Sequence, residues 1–133
     1  MPTAKCFVDT NVAIYALDAN VAKRAKALAI LDGRPFISTQ VVNEYLNVLL
    51  VKRRLGRAAA HELARALMVA CDIVSVTSAI TDLAMTIGER YQTSHWDSLI
   101  VATALAEDCD ILYSEDMQDG QVFEGRLTVI NPF

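Results

Sequence analysis

The sequence predicts an α/β protein with a mainly parallel sheet, and three observations carry that prediction. Short apolar runs alternate with stretches of helical periodicity from one end of the chain to the other, the pattern of strands joined by crossover helices. Acidic residues recur directly after the apolar runs or near the starts of helices: Asp9, Glu44, Asp97 and Asp116. No repeat, low-complexity stretch or linker interrupts this order. Residues 1–133 therefore read as one domain, long enough for a real core and too short for two ordinary ones.

The first strand is expected over residues 4–8, closing on Asp9. A short helix follows through Val12, Ile14, Tyr15 and Leu17, until Asp18 and Asn20 break it. A second helix over residues 21–31 ends at Gly33, and Pro35, Phe36 and Ile37 supply a short strand. Either Ser38 or Thr39 then caps the next helix with its hydroxyl. Over residues 41–54 the positions Val41, Val42, Tyr45, Leu46, Val48, Leu49 and Val51 give a broad helical stripe, with Gly56 as its stop. Glu44 lies in the first turns of this helix, which reads as largely buried.

Another helix over residues 57–69 precedes a strand over 73–76, and Thr77 or Ser78 opens a helix running to about residue 91. Ser94-His95-Trp96-Asp97 has the spacing of a capping box, with Asp in place of the usual Glu, ahead of an apolar helix over 99–106. A strand over 110–113 ends at Ser114-Glu115-Asp116, and residues 127–130 form the last strand.

Composition removes several function classes. Of the residues 53% are hydrophobic, yet charges break every apolar run well before the roughly 18 residues a membrane span needs. The N-terminus offers only Cys6-Phe7-Val8 between Lys5 and Asp9, far short of a signal peptide's apolar region, so a cytoplasmic protein with no membrane partner is expected. Cys6, Cys71 and Cys109 are odd in number and widely separated in apolar surroundings, which reads as reduced, buried thiols. His61 and His95 lack the HExxH spacing of zinc hydrolases. A net charge of −4 argues against binding nucleic acid by charge alone. Seven of the twelve basic residues nevertheless form two clusters: Lys23, Arg24 and Lys26, then Lys52, Arg53, Arg54 and Arg57. Each cluster reads either as part of a substrate path or as a solvated helix face.

The acids carry the chemistry. Four carboxylates forced together repel and raise one another's pKa unless a cation neutralises them, and hard divalent cations take oxygen ligands. In open parallel sheets ligands gather beyond the carboxyl ends of the strands. Asp9 and Asp116 follow strands directly, and Glu44 and Asp97 open helices that follow loops. Helix N-termini add N–H groups that suit phosphate oxygens. This donor set points to Mg²⁺ or Mn²⁺ and to phosphodiester hydrolysis.

Plainer roles stand beside the functional ones. Asp9 would serve as an N-cap, and Asp97 as the acid of a capping box. Asp116 competes with Glu115 and Asp119 in a turn where Asp is common for ordinary reasons; Asp116 ranks first and Asp119 second. Glu44 is the exception, because a lone carboxylate on a buried helix is costly unless paired. Trp96 reads first as a core anchor and second as a platform for a base, and His95 as a solvated residue.

FVDTN at 7–11, STQVVNEYLNV at 38–48, HWDSLIVATAL at 95–105 and YSEDMQDG at 113–120 together resemble the PIN-domain nucleases. The likeness spans essentially the whole chain, and small chains of this kind resemble the VapC-type toxin ribonucleases. It implies a three-layer α/β/α sandwich around a mainly parallel sheet, with acidic side chains holding one or two Mg²⁺ or Mn²⁺ ions. Asp9, Glu44, Asp97 and Asp116 match the family's first to fourth acids, and Thr10, Asn11 and Ser114 match polar positions that support the site. The implied activity is endonucleolytic hydrolysis of RNA by an activated water, leaving a 5′-phosphate and a 3′-hydroxyl. The implied partners are the RNA substrate, a small antitoxin covering the acidic site, and a second copy of the chain in a homodimer.

The rival reading is a non-catalytic PIN-like module that binds nucleic acid or protein, and the presence of all four acids counts against it. Receiver domains and haloacid dehalogenase phosphatases also cluster acids at strand ends, but both need a Lys late in the chain. None occurs after Lys52, and Asn11 stands where such a phosphatase needs its second Asp.

Overall fold

The computed structural model describes residues 4–133. Its strands are β1 Cys6–Val8, β2 Phe36–Ser38, β3 Asp72–Val74, β4 Ile111–Tyr113, β5 Val122–Phe123 and β6 Leu127–Ile130. They form one sheet in the order β3-β2-β1-β4-β6-β5. Every neighbouring pair is parallel except β5 with β6, so the α/β class with a mainly parallel sheet is as expected. The helices are α1 Thr10–Tyr15, α2 Val21–Asp32, α3 Thr39–Asn47, α4 Arg57–Ala70, α5 Ser78–Tyr91 and α6 His95–Ala106.

Strand order dictates the layers. From β1 through β2 to β3 the chain steps outward in one direction, and right-handed crossovers put the intervening helices α1 to α4 on one face. It then doubles back past β1 to reach β4, which by the same rule places α5 and α6 on the other face. The reversal falls between β1 and β4, and a crevice opens beyond the strand ends at such a switch point. Val8 lies opposite Tyr113, so the residues that follow, Asp9 and Ser114, emerge side by side. The Asp9 N–H extends the ladder by donating to Tyr113 O at 3.0 Å.

The core explains why the helices sit where they do. Phe7, Val8, Ile37, Leu112 and Val129 bury the strands completely. The stripes Val41, Tyr45 and Ala60, Ala64, Leu67 bury one face each of α3 and α4 at helical spacing. Helix α6 is buried on every side from Ser98 to Leu105, as a helix apolar all round must be. Among the described residues, no helix is long and apolar enough to cross a membrane. Cys71 and Cys109 are buried free thiols, and Cys6 is half-buried.

The open choices between caps are decided by geometry. Ser38 Oγ accepts from Val41 N at 3.2 Å and caps α3, whereas Thr39 Oγ1 accepts from Val76 N at 3.2 Å. That second bond takes Val76 out of the sheet, so β3 ends at Val74 rather than at residue 76. Thr77 caps α5 through Ile80 N, also at 3.2 Å.

Three expectations are corrected. The helix over 41–54 is not uniform: α3 gives way to a π-helical turn over Val48–Lys52, in which Arg53 N donates to Val48 O at 3.0 Å. Glu44 is exposed rather than buried, because the stripe of Val41, Tyr45 and Leu49 turns inward and Glu44 falls on the other side. Trp96 is 65% exposed and does not anchor α6, whose core contacts begin at Ser98. Strand β5 was not anticipated either. It forms a hairpin with β6 around Glu124 and Gly125, both at positive φ, closed by Arg126 N to Phe123 O at 3.1 Å. A type I′ turn needs positive φ at both central positions, and Glu-Gly is not one of its usual pairs.

Candidate functional site

Asp9 caps α1, and it sits at the switch point because β1 delivers it there. Its Oδ1 accepts from Thr10 N at 2.7 Å. Its Oδ2 accepts from Ser114 Oγ at 2.8 Å and from Asn11 Nδ2 at 3.3 Å. A carboxylate has about four acceptor sites, so roughly one remains for a ligand. Burial pushes the Asp9 carboxyl up to about 6; the Ser114 and Thr10 bonds oppose that, and the charges of Glu44 and Asp97 add to it.

Ser114 has no freedom in this arrangement. Its Oγ accepts from Asp116 N at 3.2 Å and Met117 N at 3.4 Å, so its proton goes to Asp9. Asn11 reaches further. Its Nδ2 also donates to Asp116 Oδ2 at 3.0 Å, and its Oδ1 accepts from Glu115 N at 3.2 Å. The loop after β4 is thereby tied to the start of α1.

Asp97 enters from α6. Ser94 Oγ accepts from Asp97 N at 3.1 Å, half of the anticipated capping box. Partial burial raises the Asp97 carboxyl above the usual range, the Ser94 hydroxyl lowers it, and the charge of Asp116 raises it again. Glu44, from α3, is exposed as a residue, yet its carboxyl is raised first by partial desolvation. Gln40 lowers it, Asp97 raises it, and Thr10 lowers it. The Thr10 hydroxyl is itself buried and lies near Glu44 without completing a hydrogen bond.

The structure therefore brings Asp9, Glu44, Asp97 and Asp116 within electrostatic reach of one another, with Thr10, Asn11 and Ser114 around them. Asp119 is not part of this group. Its Oδ1 accepts from Asn131 N at 2.8 Å and fastens the segment after β6.

A groove of about 470 Å³ opens beside Thr10, Asn11, Glu44 and Asp116, and Val48, Lys52 and Arg53 form its far wall. The π-helical turn accounts for that wall. In an α-helix, residues five apart lie well off the same face, whereas i to i+5 pairing stacks Arg53 above Val48. Arg54 and Arg57 do not line the groove, so the basic cluster is split. Lys23, from the other cluster, lies 4.6 Å above the Tyr15 ring and 3.9 Å from Glu115.

The donor set is all oxygen, which suits Mg²⁺ or Mn²⁺. Among the described residues, no three acidic, histidine or cysteine side chains converge closely enough to form a preformed cage. Mg²⁺ does not need one, since it keeps several waters and takes one or two carboxylates plus substrate oxygens. The buried, unpartnered Thr10 hydroxyl and the mutual repulsion of the acids fit such a cation.

Gln40 escaped the sequence reading. It stands one turn before Glu44 on α3, and that i, i+4 spacing was the available signal.

The family model described as PIN domain matches residues 6–118. No curated protein gives a significant sequence match. Among solved structures, the chain is similar to VapC20 from Mycobacterium tuberculosis, a sarcin-ricin loop cleaving toxin, with 23% identity and a TM-score of 0.67 over 84% of this chain and 90% of that one. It is similar to a toxin-antitoxin complex from Klebsiella pneumoniae at 20% identity and a TM-score of 0.73, covering 97% of this chain and 98% of that one. VapBC2 from Rickettsia felis, bound to a DNA fragment from its promoter, gives 16% identity and a TM-score of 0.69, covering 95% and 98%. At these identities the likeness is one of fold.

Proposed function

This chain belongs to the PIN domain family, and from that premise we propose that it is a Mg²⁺- or Mn²⁺-dependent endoribonuclease, the toxin of a toxin–antitoxin pair. The observation that carries the proposal is the meeting of four carboxylates from four separate segments beside a groove with a cationic wall. Asp9 and Asp97 would hold the principal cation, with Glu44 and Asp116 completing the site directly or through water. When bound, the cation supplies a water of lowered pKa and neutralises charge on the phosphate oxygens.

The chain's own residues do the rest. Ser114 and Asn11 fix Asp9 in one orientation, as hydrogen-bonded partners of metal ligands do. Asn11 holds Asp116 towards the same point. Lys52 and Arg53 offer positive charge to the phosphates of an RNA strand lying in the groove.

The toxin assignment draws on the solved toxin-antitoxin complexes of the same fold. A small antitoxin would cover the acidic groove and apolar helix surface, and a second copy of the chain would form a homodimer. Val21 and Leu28 on α2, and Met68 and Val69 on α4, are exposed apolar side chains that such interfaces would absorb.

One observation favours the rival, a non-catalytic PIN-like module: the acids do not form a closed cage. Cleavage of a panel of labelled single-stranded RNAs in Mg²⁺, Mn²⁺ or EDTA, with Asp97→Asn in parallel and metal binding followed by calorimetry, separates the two. Metal-dependent cutting that is lost in the variant supports the nuclease. A folded protein that neither binds metal nor cuts is the non-catalytic module.

A further inference from the structure

We propose that the groove between α3 and the start of α6 holds one unstacked nucleobase of the RNA strand, with Trp96 as its stacking platform. The inference rests on reading the neighbouring acidic groove as the phosphodiester site. It deepens that reading by assigning the adjoining surface to a base.

Trp96 is the only tryptophan of the chain. It is 65% exposed on the first turn of a helix otherwise packed into the core, and it immediately precedes Asp97. It forms one wall of a groove of about 580 Å³, with Val76 and Leu99 beside it and the amides of Gln40, Asn43 and Asn47 opposite. Glu44 borders this groove and the acidic one, so the two lie on either side of it. Their linings differ in kind. Lys52 and Arg53 stand on the acidic side of Glu44, and among the described residues no cation lines the Trp96 side. That division matches a nucleotide, with charged phosphate in one groove and an uncharged, flat, hydrogen-bonding base in the next.

Gln40 supplies the most specific sign. Its Nε2 donates to Trp96 O at 3.2 Å, tying α3 to the turn that carries the indole. Its Oε1 is buried with no partner. A buried acceptor left unpaired is costly, and the exocyclic amine of a base is a donor of the kind such side-chain amides recognise. Stacking on an aromatic ring tolerates any base, and an amide acceptor adds a place for a base-edge donor, whether an exocyclic amine or a ring N–H. An apolar side chain of a protein partner would fill the groove less well, since it would leave Gln40 Oε1 unmet.

Because Trp96 is the sole tryptophan, fluorescence excited selectively at tryptophan, apart from the tyrosines, reports on this groove. The full chain carrying Asp97→Asn, so that nothing is cut, is titrated in Mg²⁺ with single-stranded RNA 12-mers of each base and with an abasic 12-mer. The expected result is quenching by the base-bearing RNAs and none by the abasic strand. Affinity for the base-bearing RNAs, followed in every variant by fluorescence anisotropy of the end-labelled strand, falls roughly tenfold when Trp96→Ala is added and less with Trp96→Phe. Thermal melting of the variants should match the parent, since an exposed side chain is being replaced. Absence of quenching, equal quenching by the abasic strand, or unchanged RNA affinity in Trp96→Ala overturns the proposal. So does a loss of protein-partner binding in Trp96→Ala with RNA binding intact. Cleavage assays with Asp97 restored separate this failure from failure of the nuclease reading. Cutting without quenching removes only the base site, and quenching without cutting by the wild type removes only the nuclease.

Discussion

The carboxamide of Asn11 lies 3.0 Å from the carboxylate of Asp116, a residue 105 positions away, and 3.3 Å from that of Asp9. One neutral side chain thus donates to two acids that would otherwise repel, and it accepts from Glu115 N as well. Replacing it with alanine leaves the acids in place and removes what aligns them. Asn11→Ala should weaken Mg²⁺ or Mn²⁺ binding, or cleavage, by about 10- to 100-fold, with about 1–3 kcal/mol of lost stability from the vacated hydrogen bonds. Isothermal titration with Mn²⁺ and chemical denaturation read the two effects separately. Unchanged metal affinity would remove Asn11 from the site.

Asp97→Asn tests the acid on α6. The cap survives, because Ser94 Oγ accepts from the backbone N–H of residue 97 and not from its side chain. The substitution also relieves repulsion among carboxyls already raised by burial and by one another. Melting temperature should therefore stay level or rise slightly while RNA cleavage is lost. Full activity in the variant would sink the four-acid scheme.

The metal-free protein should be less stable at pH 8 than at pH 5. Asp9 titrates at about 6 in the fold against an ordinary value of 3.8. Between those values the native state holds more protons than the unfolded chain, so stability falls as pH rises through the window. The raised carboxyl contributes about 3 kcal/mol below its ordinary value of 3.8, of which roughly 1.4 kcal/mol remains at pH 5 and almost none at pH 8. A bound divalent cation favours the charged form, and it should raise the melting temperature more at pH 8 than at pH 5. Differential scanning calorimetry with EDTA or Mn²⁺ at both pH values checks the sign; greater apo stability at pH 8 would contradict it.

The groove wall makes the basic residues unequal. Lys52 and Arg53 line the groove, and Arg57 opens α4 outside it. Lys52→Glu with Arg53→Glu should cut RNA affinity strongly and flatten its salt dependence, whereas Arg57→Glu should change little. Fluorescence anisotropy across a salt series distinguishes them, and identical slopes for both variants would place the RNA elsewhere.

Hydrogen bonds that turn sequence neighbours into a local device were legible in the chain. Asp9 after an apolar run, Ser94 three residues before Asp97, and the hydroxyls flanking α3 and α5 announced caps, and the structure has them. Exposure is not legible in the chain where it depends on how a helix is rotated about its own axis. Glu44 among apolar neighbours reads as buried, and Trp96 reads as an anchor. Each instead sits on the edge of a groove that exists only once α3 and α6 face one another. Asp119, three residues after Asp116 but bonded to Asn131, is not distinguished from it by spacing.

By itself the sequence determined the class of fold and singled out the candidate acids, because alternating strand and helix periods and residues at strand ends are one-dimensional properties. The sheet order and its reversal between β1 and β4 were decided only in three dimensions, and with them the pairing of Asp9 with Ser114 and Asn11 with Asp116. So was the π-helical turn that swings Arg53 into the groove. Contacts across 105 residues arise from parallel strands delivering distant loops to one edge, and no local pattern in the chain encodes that meeting.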